Sequence, residues 1–358
     1  MTIQSISQHD RQSTAQEASD SHREILSIQY LRFIAAISVV IFHVFGNSLM
    51  GFGRFFSHGV DLFFVISGFL MMALTYDNRL KPKDFLVGRL VRICPTYWIA
   101  TVIWLICLQL NIIAGYSQNT DLRHFIYSVL FIPSLSINGY LPTLYLGWTL
   151  NYEMFFYLIF TLSIFCSRLF RLEITATIFV LLFVIGILAR PFDSAIDFYT
   201  NPMILEFLAG STVGSAFGMD LRRNGRRRCV SVTLSTALAL ACAAAFDHRL
   251  IWGVVSVLLL GLALMYERQI TLPRVDFLIL LGNASFSIYL FQDFGFHIAG
   301  FLGQNFGHLL EDENLRLRII ALSRCLAAVG IGLTAHKFIE RPVTQFVRQK
   351  LRSSNAKE

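Results

Sequence analysis

A histidine with carboxylates in reach is the usual equipment for taking a proton from a hydroxyl. This sequence sets one, His43, in a long apolar run that also holds Arg32. The two are eleven residues apart. On an α-helix that spacing is about three turns, so both lie on one face, separated by roughly 16 Å in depth. Other acids fall where they could join His43: Asp61 after His58-Gly59-Val60, Glu153 after Trp148-Thr149-Leu150-Asn151-Tyr152, Glu206, and Asp293 beyond Tyr289 and Gln292. A carboxylate beside an imidazole orients it and raises its basicity, and Asp61 or Glu153 is expected to do so for His43. The plainer alternatives are a snorkelling side chain for Arg32 and, for His43, an interfacial histidine bonded to a backbone carbonyl.

Opposite charge collects at the other level. Arg32, Arg89 and Arg92 fall near one end of their apolar runs, with Pro95 expected to start the next span. Arg89 and Arg92 share a face if their segment is helical. Clustered guanidinium groups suit a polyanion such as a nucleotide phosphate, and the alternative is a simple excess of basic residues on one side of a membrane.

These residues must be carried by membrane helices. Of 358 residues, 55% are hydrophobic and 15% charged, too little polar surface to cover a soluble core of this size. The apolar residues come in blocks long enough to cross a hydrocarbon layer about 30 Å thick. In lipid the backbone must satisfy itself, so the blocks are read as helices, and the short alternating segments of a barrel are missing. Spans are expected at about 26–46, 59–76, 95–114, 145–166, 173–190, 201–218, 230–246, 250–266, 277–301 and 317–337, with 122–133 read as an interfacial helix. The fold class is therefore an all-α integral membrane protein, a bundle of about ten transmembrane helices. Residues 1–24 are polar and read as a disordered cytoplasmic segment, 25–340 as the membrane domain and 341–358 as a basic cytoplasmic tail.

With the N-terminus inside, 22 of the 30 Lys and Arg residues fall in inner segments and 5 in outer loops. That bias places both termini in the cytoplasm and favours an even number of spans. It also accounts for the net charge of +7 without nucleic acid. The six cysteines form no CxxC pair and avoid the outer loops, so neither a disulfide scaffold nor a metal site is indicated. The longest outer loop, from Ala114 to Leu144, carries Tyr116, Tyr127 and Tyr140, with Tyr145 and Trp148 following. Aromatic faces suit sugar rings, and equally an interfacial belt.

Taken in order, several of these pieces resemble the acyltransferase family 3 membrane proteins. They are Ile28-Gln29-Tyr30-Leu31-Arg32 with His43; Gly59-Val60-Asp61-Leu62-Phe63-Phe64 through Phe69; Arg89, Arg92 and Pro95; Trp148-Thr149-Leu150 with Glu153, Phe156 and Tyr157; Leu281 through Leu290; and Glu340-Arg341-Pro342. The likeness covers about residues 25 to 345 and is greatest to the exopolysaccharide-type members. It implies ten helices in a bacterial inner membrane and acetyl-CoA as the cytoplasmic donor. The implied acceptor is a hydroxyl of a lipid-linked or exported glycan. Arg32 and His43 carry over as the essential pair, Arg89 and Arg92 as donor-binding residues, and Glu153 as a functional acid. Trp148, Tyr289, Gln292 and Asp293 are the expected acceptor-side residues. Gln292 stands where the family often has a histidine, which fits a position that orients substrate rather than taking a proton. Polysaccharide assembly proteins, a second copy of the chain and membrane lipids are the further partners such an enzyme admits.

The expected reaction is direct transfer, with donor phosphates near Arg32, Arg89 and Arg92 and the thioester near His43. In a variant, His43 is itself acetylated first. Two other classes use the same residues differently. A glycan transporter or flippase would employ the acids as a proton relay, though no inverted repeat is visible. A scaffold subunit would not need Arg32 or His43 at all.

Overall fold

A computed structural model describes residues 25–46, 52–75, 80–113, 121–133, 141–188, 195–220, 226–269, 272–306 and 312–355. Tyr116, Tyr140 and the 1–24 segment lie outside them. The described residues are helical, without strands.

Helix α1 is Leu26–Phe45, and a 3₁₀ helix, Phe52–His58, leads into α2, Gly59–Thr75. Next come α3 (Pro82–Gln109), the short α4 (Leu122–Val129), and α5 (Trp148–Cys166) after a 3₁₀ turn at Tyr145–Gly147. Then follow α6 (Arg171–Leu188), α7 (Ala195–Tyr199), α8 (Ile204–Asp220), α9 (Arg226–Ala243) and α10 (Leu250–Gln269). The chain closes with α11 (Asp276–Asn283), α12 (Ser285–Phe306), α13 (Glu313–Ala335), a π segment at His336–Glu340 and α14 (Arg341–Asn355). Among the described residues, seven helices are long and apolar enough to cross a membrane, eight if the bent pair α11–α12 is one span.

Two features depart from expectation. Pro95 does not begin a span; it lies inside α3, which starts thirteen residues earlier with Pro82 in its first turn. Proline suits a helix start because the first N–H groups have no intrahelical partner. An interior proline is tolerated in membrane helices where neighbouring groups satisfy the freed carbonyl. Arg89 and Arg92 therefore do sit on one helix. The stretch expected as a single span at 277–301 is bent by 74° between α11 and α12. There Gly282 packs so closely on the Gln29 carbonyl of α1 that no Cβ would fit.

Glycines also set the centre of the bundle. Gly68 of α2 meets the Phe207 carbonyl of α8, and Gly210 of α8 meets the Val65 carbonyl of α2. Small residues bring membrane helices into backbone contact in this way. Around that seam, Phe207 stacks on Phe64 at 4.4 Å and on Phe156 of α5 at 4.7 Å. α1 lies against α2, α11 and α12, so Arg32 and His43 face the interior from an unbroken helix.

Candidate functional site

His43 is near the end of α1 and needs an orienting partner. It finds one in its own helix: Nδ1 donates to the Val39 carbonyl at 2.8 Å. A carbonyl has no proton to give, so Nδ1 carries the hydrogen and Nε2 is the nitrogen left to accept one. The ring lies edge-on to Tyr145 at 6.0 Å and beside Phe296 at 6.3 Å. Tyr145 in turn donates to Asp293 Oδ1 at 3.1 Å, so Asp293 joins the His43 level through a tyrosine.

Neither carboxylate expected to orient His43 does so. Asp61 turns the other way: its Oδ2 accepts from His58 Nδ1 at 3.0 Å, and Glu206 of α8 is its other charged neighbour. His58 stacks on Trp252 of α10 at 4.1 Å, and Glu206 lies against Gly253 of the same helix. An α-helix separates the faces of neighbouring residues by about 100° per step, so Val60 and Phe63 face one way and Asp61 another.

Glu153 also departs from the expected depth. Its Oε1 accepts from Ser67 Oγ at 3.0 Å and from the Tyr157 hydroxyl. The charges acting on Arg32 include Arg92, Glu340 and Glu153. Those acting on Arg89 include Arg92 and Glu153, with the Arg89 guanidinium over the Phe85 ring at 5.8 Å. Glu153 thus belongs to the arginine level, not the His43 level. Tyr157 is four residues on from Glu153 and on the same face, a spacing that marks it in the sequence.

Two cavities share lining residues at this level. A narrow one of about 70 Å³ runs from Arg32 and Arg92 past Ser67, Glu153 and Tyr157 to Thr149 and Tyr289. Its end is closed by hydrogen bonds: Thr149 donates to the Tyr289 oxygen at 3.0 Å, and Tyr289 donates to the Leu146 carbonyl at 3.0 Å. A wider cavity of about 380 Å³ shares Arg32 and Arg92 and is otherwise lined by Asn283, His336, Glu340 and the first turns of α14. A broad basic vestibule and a slim slot thus share Arg32 and Arg92, and the slot extends as far as Tyr289.

Tyr289 is the acceptor-side residue that lines a cavity. Trp148 packs on Tyr152 at 6.0 Å. The Gln292 amide donates to the Tyr289 carbonyl of its own helix at 3.0 Å. Neither lines the slot or the vestibule. In the sequence Arg348 reads only as tail charge and Arg341 as tail charge and part of the Glu340-Arg341-Pro342 likeness; the cavity wall they form on α14 is not visible there.

The sequence profile of the acyltransferase domain family matches residues 25–335. The chain is 32% identical over 305 residues to the exopolysaccharide production protein ExoZ of Rhizobium meliloti (strain 1021), covering 80% of this chain and 88% of that one. It is also 36% identical over 93 residues to YrhL of Bacillus subtilis (strain 168), provisionally named a peptidoglycan O-acetyltransferase, covering 24% of this chain and 14% of the other. No solved structure is a significant match.

Proposed function

The chain belongs to the acyltransferase domain family, and from that premise we propose that it moves an acetyl group from cytoplasmic acetyl-CoA to a hydroxyl of an exported or lipid-linked glycan, such as an exopolysaccharide. The observation that carries this reading is the pair of cavities sharing Arg32 and Arg92. The vestibule suits the phosphates of CoA, and the slot suits its pantetheine arm. The eleven residues from Arg32 to His43, roughly 16 Å of helix rise, match the reach of that arm. The name of the ExoZ relative supports a polysaccharide acceptor.

In this reading the thioester arrives beyond Tyr289 when that hydroxyl lets go of Thr149 and Leu146. His43 Nε2 takes the proton of the acceptor hydroxyl as its oxygen attacks the thioester carbonyl carbon. Collapse breaks the carbon–sulfur bond, and the imidazolium returns the proton to the departing sulfur. The products are an O-acetyl ester and CoA thiol, with His43 neutral again. Arg32 and Arg92 hold the donor; Arg89, expected beside them, lines neither cavity and adds its charge from behind the slot, where Glu153 with Tyr157 and Ser67 balances it. Tyr145 and Asp293 flank the acceptor, and Asp61 serves the α2–α8–α10 packing. No metal is required by these steps.

The proposal includes ten crossings of a bacterial inner membrane with both termini cytoplasmic. Supporting it, α10 reaches from His58, through Trp252, to the backbone N–H groups of Leu26 and Ser27, which bond to Glu267. Supporting it too, Arg32 near the chain's start and Arg341 near its end line one cavity.

The test is acetyl-CoA binding and turnover by the purified protein in nanodiscs. Arg32→Ala is expected to lose binding, and His43→Ala to keep binding and lose turnover. Full turnover in His43→Ala would sink the mechanism. A wild type that neither binds nor hydrolyses acetyl-CoA, and transfers none to glycan, would return the transporter reading.

A further inference from the structure

Four guanidinium groups surround the vestibule and one carboxylate does. Arg32, Arg92, Arg341 and Arg348 line it, and the acid is Glu340. Glu340 is already engaged, accepting from Ser287 Oγ at 2.6 Å and from His336 Nδ1 at 2.7 Å. Neither Arg341 nor Arg348 makes an ion pair with a described carboxylate. His336 Nε2 and Thr344 Oγ1 are buried on the same wall without a partner.

The wall has a direction. Arg341, Thr344, Gln345 and Arg348 are spaced by three, four and seven residues, which puts them on one stripe of α14. The two arginines are two turns apart, about 10 Å along the axis. The stripe lines the cavity at its open side, where Arg341, Gln345 and Arg348 are exposed and Thr344 is half-buried. The π segment just before α14 shapes this entry; such insertions change the helical phase, so the turns of α14 point differently from those of α13.

The anion that fits must carry charge at two levels. Arg32 and Arg92 line both slot and vestibule, and Arg341 and Arg348 line the vestibule alone. CoA has a pyrophosphate next to its arm and a further phosphate on the ribose. Resting on the reading of CoA as donor, we propose that α14 holds the ribose 3′-phosphate through Arg341 and Arg348, leaving the pyrophosphate to Arg32 and Arg92. Helix α14, beyond the residues matched by the family profile, is then the element that tells CoA from its 3′-dephospho form.

The experiment measures binding of CoA and 3′-dephospho-CoA to the full chain in phosphatidylcholine nanodiscs. Wild type, Arg348→Ala, Arg348→Gln and the Arg341→Ala/Arg348→Ala double variant are compared, each checked for an unchanged melting temperature. Wild type is expected to prefer CoA by about tenfold, the scale of one charge-assisted contact. Arg348→Ala and Arg348→Gln should weaken CoA about tenfold, leave dephospho-CoA within about twofold, and so erase the preference. Equal wild-type affinity for the two ligands, or variants that leave CoA binding unchanged, would overturn the proposal while the donor reading stands. A wild type that binds neither ligand removes both. An effect of Arg348→Ala that appears only with phosphatidylglycerol in the disc assigns the stripe to anionic lipid headgroups and overturns the proposal too.

Discussion

Val39 offers His43 a carbonyl where a carboxylate was expected. A neutral acceptor fixes the tautomer without the added basicity a carboxylate would lend. In the proposed mechanism catalysis then depends on Nε2 alone, and His43→Gln, which keeps an amide but no base, should cut turnover by about 10²–10⁴-fold with donor affinity unchanged. Single-turnover acetyl transfer beside equilibrium binding measures both. The carboxylates divide by the same logic. Asp61 lines neither cavity, so Asp61→Ala should leave donor affinity within about twofold and lower stability by roughly 1–3 kcal/mol through the lost His58 bond. A thermal melt in detergent with a CoA titration decides it; a large loss of affinity would put Asp61 back in the site. The sequence shows which acids stand near this level but not their partners. Which way Asp61 points depends on Trp252 and Glu206 of distant helices, and spacing along α2 carries no record of them.

Close helix approach is what aims these side chains. Where α2 and α8 cross, each lends a glycine to the other's carbonyl, and a methyl at either site meets backbone that cannot swing aside. Gly210→Ala should therefore destabilise the protein by about 1–3 kcal/mol, whereas Gly330→Ala, with nothing near its Cβ, should be neutral or gain from helix propensity. Melting temperatures of the two variants should move apart, and equal shifts would refute the account of the seam. In the proposed mechanism Tyr289 of α12 closes the end of the slot. Tyr289→Phe removes its bonds to Thr149 and Leu146, opening the end of the slot. Acetyl-CoA hydrolysis without acceptor should rise several-fold in that variant, because closure is what keeps water from a bound thioester. Hydrolysis no faster than wild type would mean that these bonds do not close the slot.

At the scale of the whole chain, apolar length located most helices to within about five residues, because lipid demands internally bonded segments of that length, while α3 begins thirteen residues before its expected start. It failed where tertiary contacts override composition. The run 277–301 is apolar throughout, yet packing of Gly282 on Gln29 accompanies a bend of 74° and brings Asn283 to the vestibule. Helix α9 poses the opposite problem, since its apolar part is only Val230–Ala243, shorter than a usual span. Its neighbour α10 answers it. Trp252 stacks on His58, and Glu267 caps the start of α1, so the turn between α9 and α10 must lie at the His43 end. For α9 to reach that turn from the other end, it has to cross. Its 18 residues make about 27 Å of helix, close to the hydrocarbon thickness. His248 is exposed in that turn, and Leu169 is exposed in the turn between α5 and α6. On a cysteine-free background, His248→Cys should react with a membrane-impermeant maleimide in intact cells, and Leu169→Cys only after the membrane is opened. If His248→Cys also needs an opened membrane, the His43 end does not face outward, and the proposed orientation and the cytoplasmic vestibule fall with it.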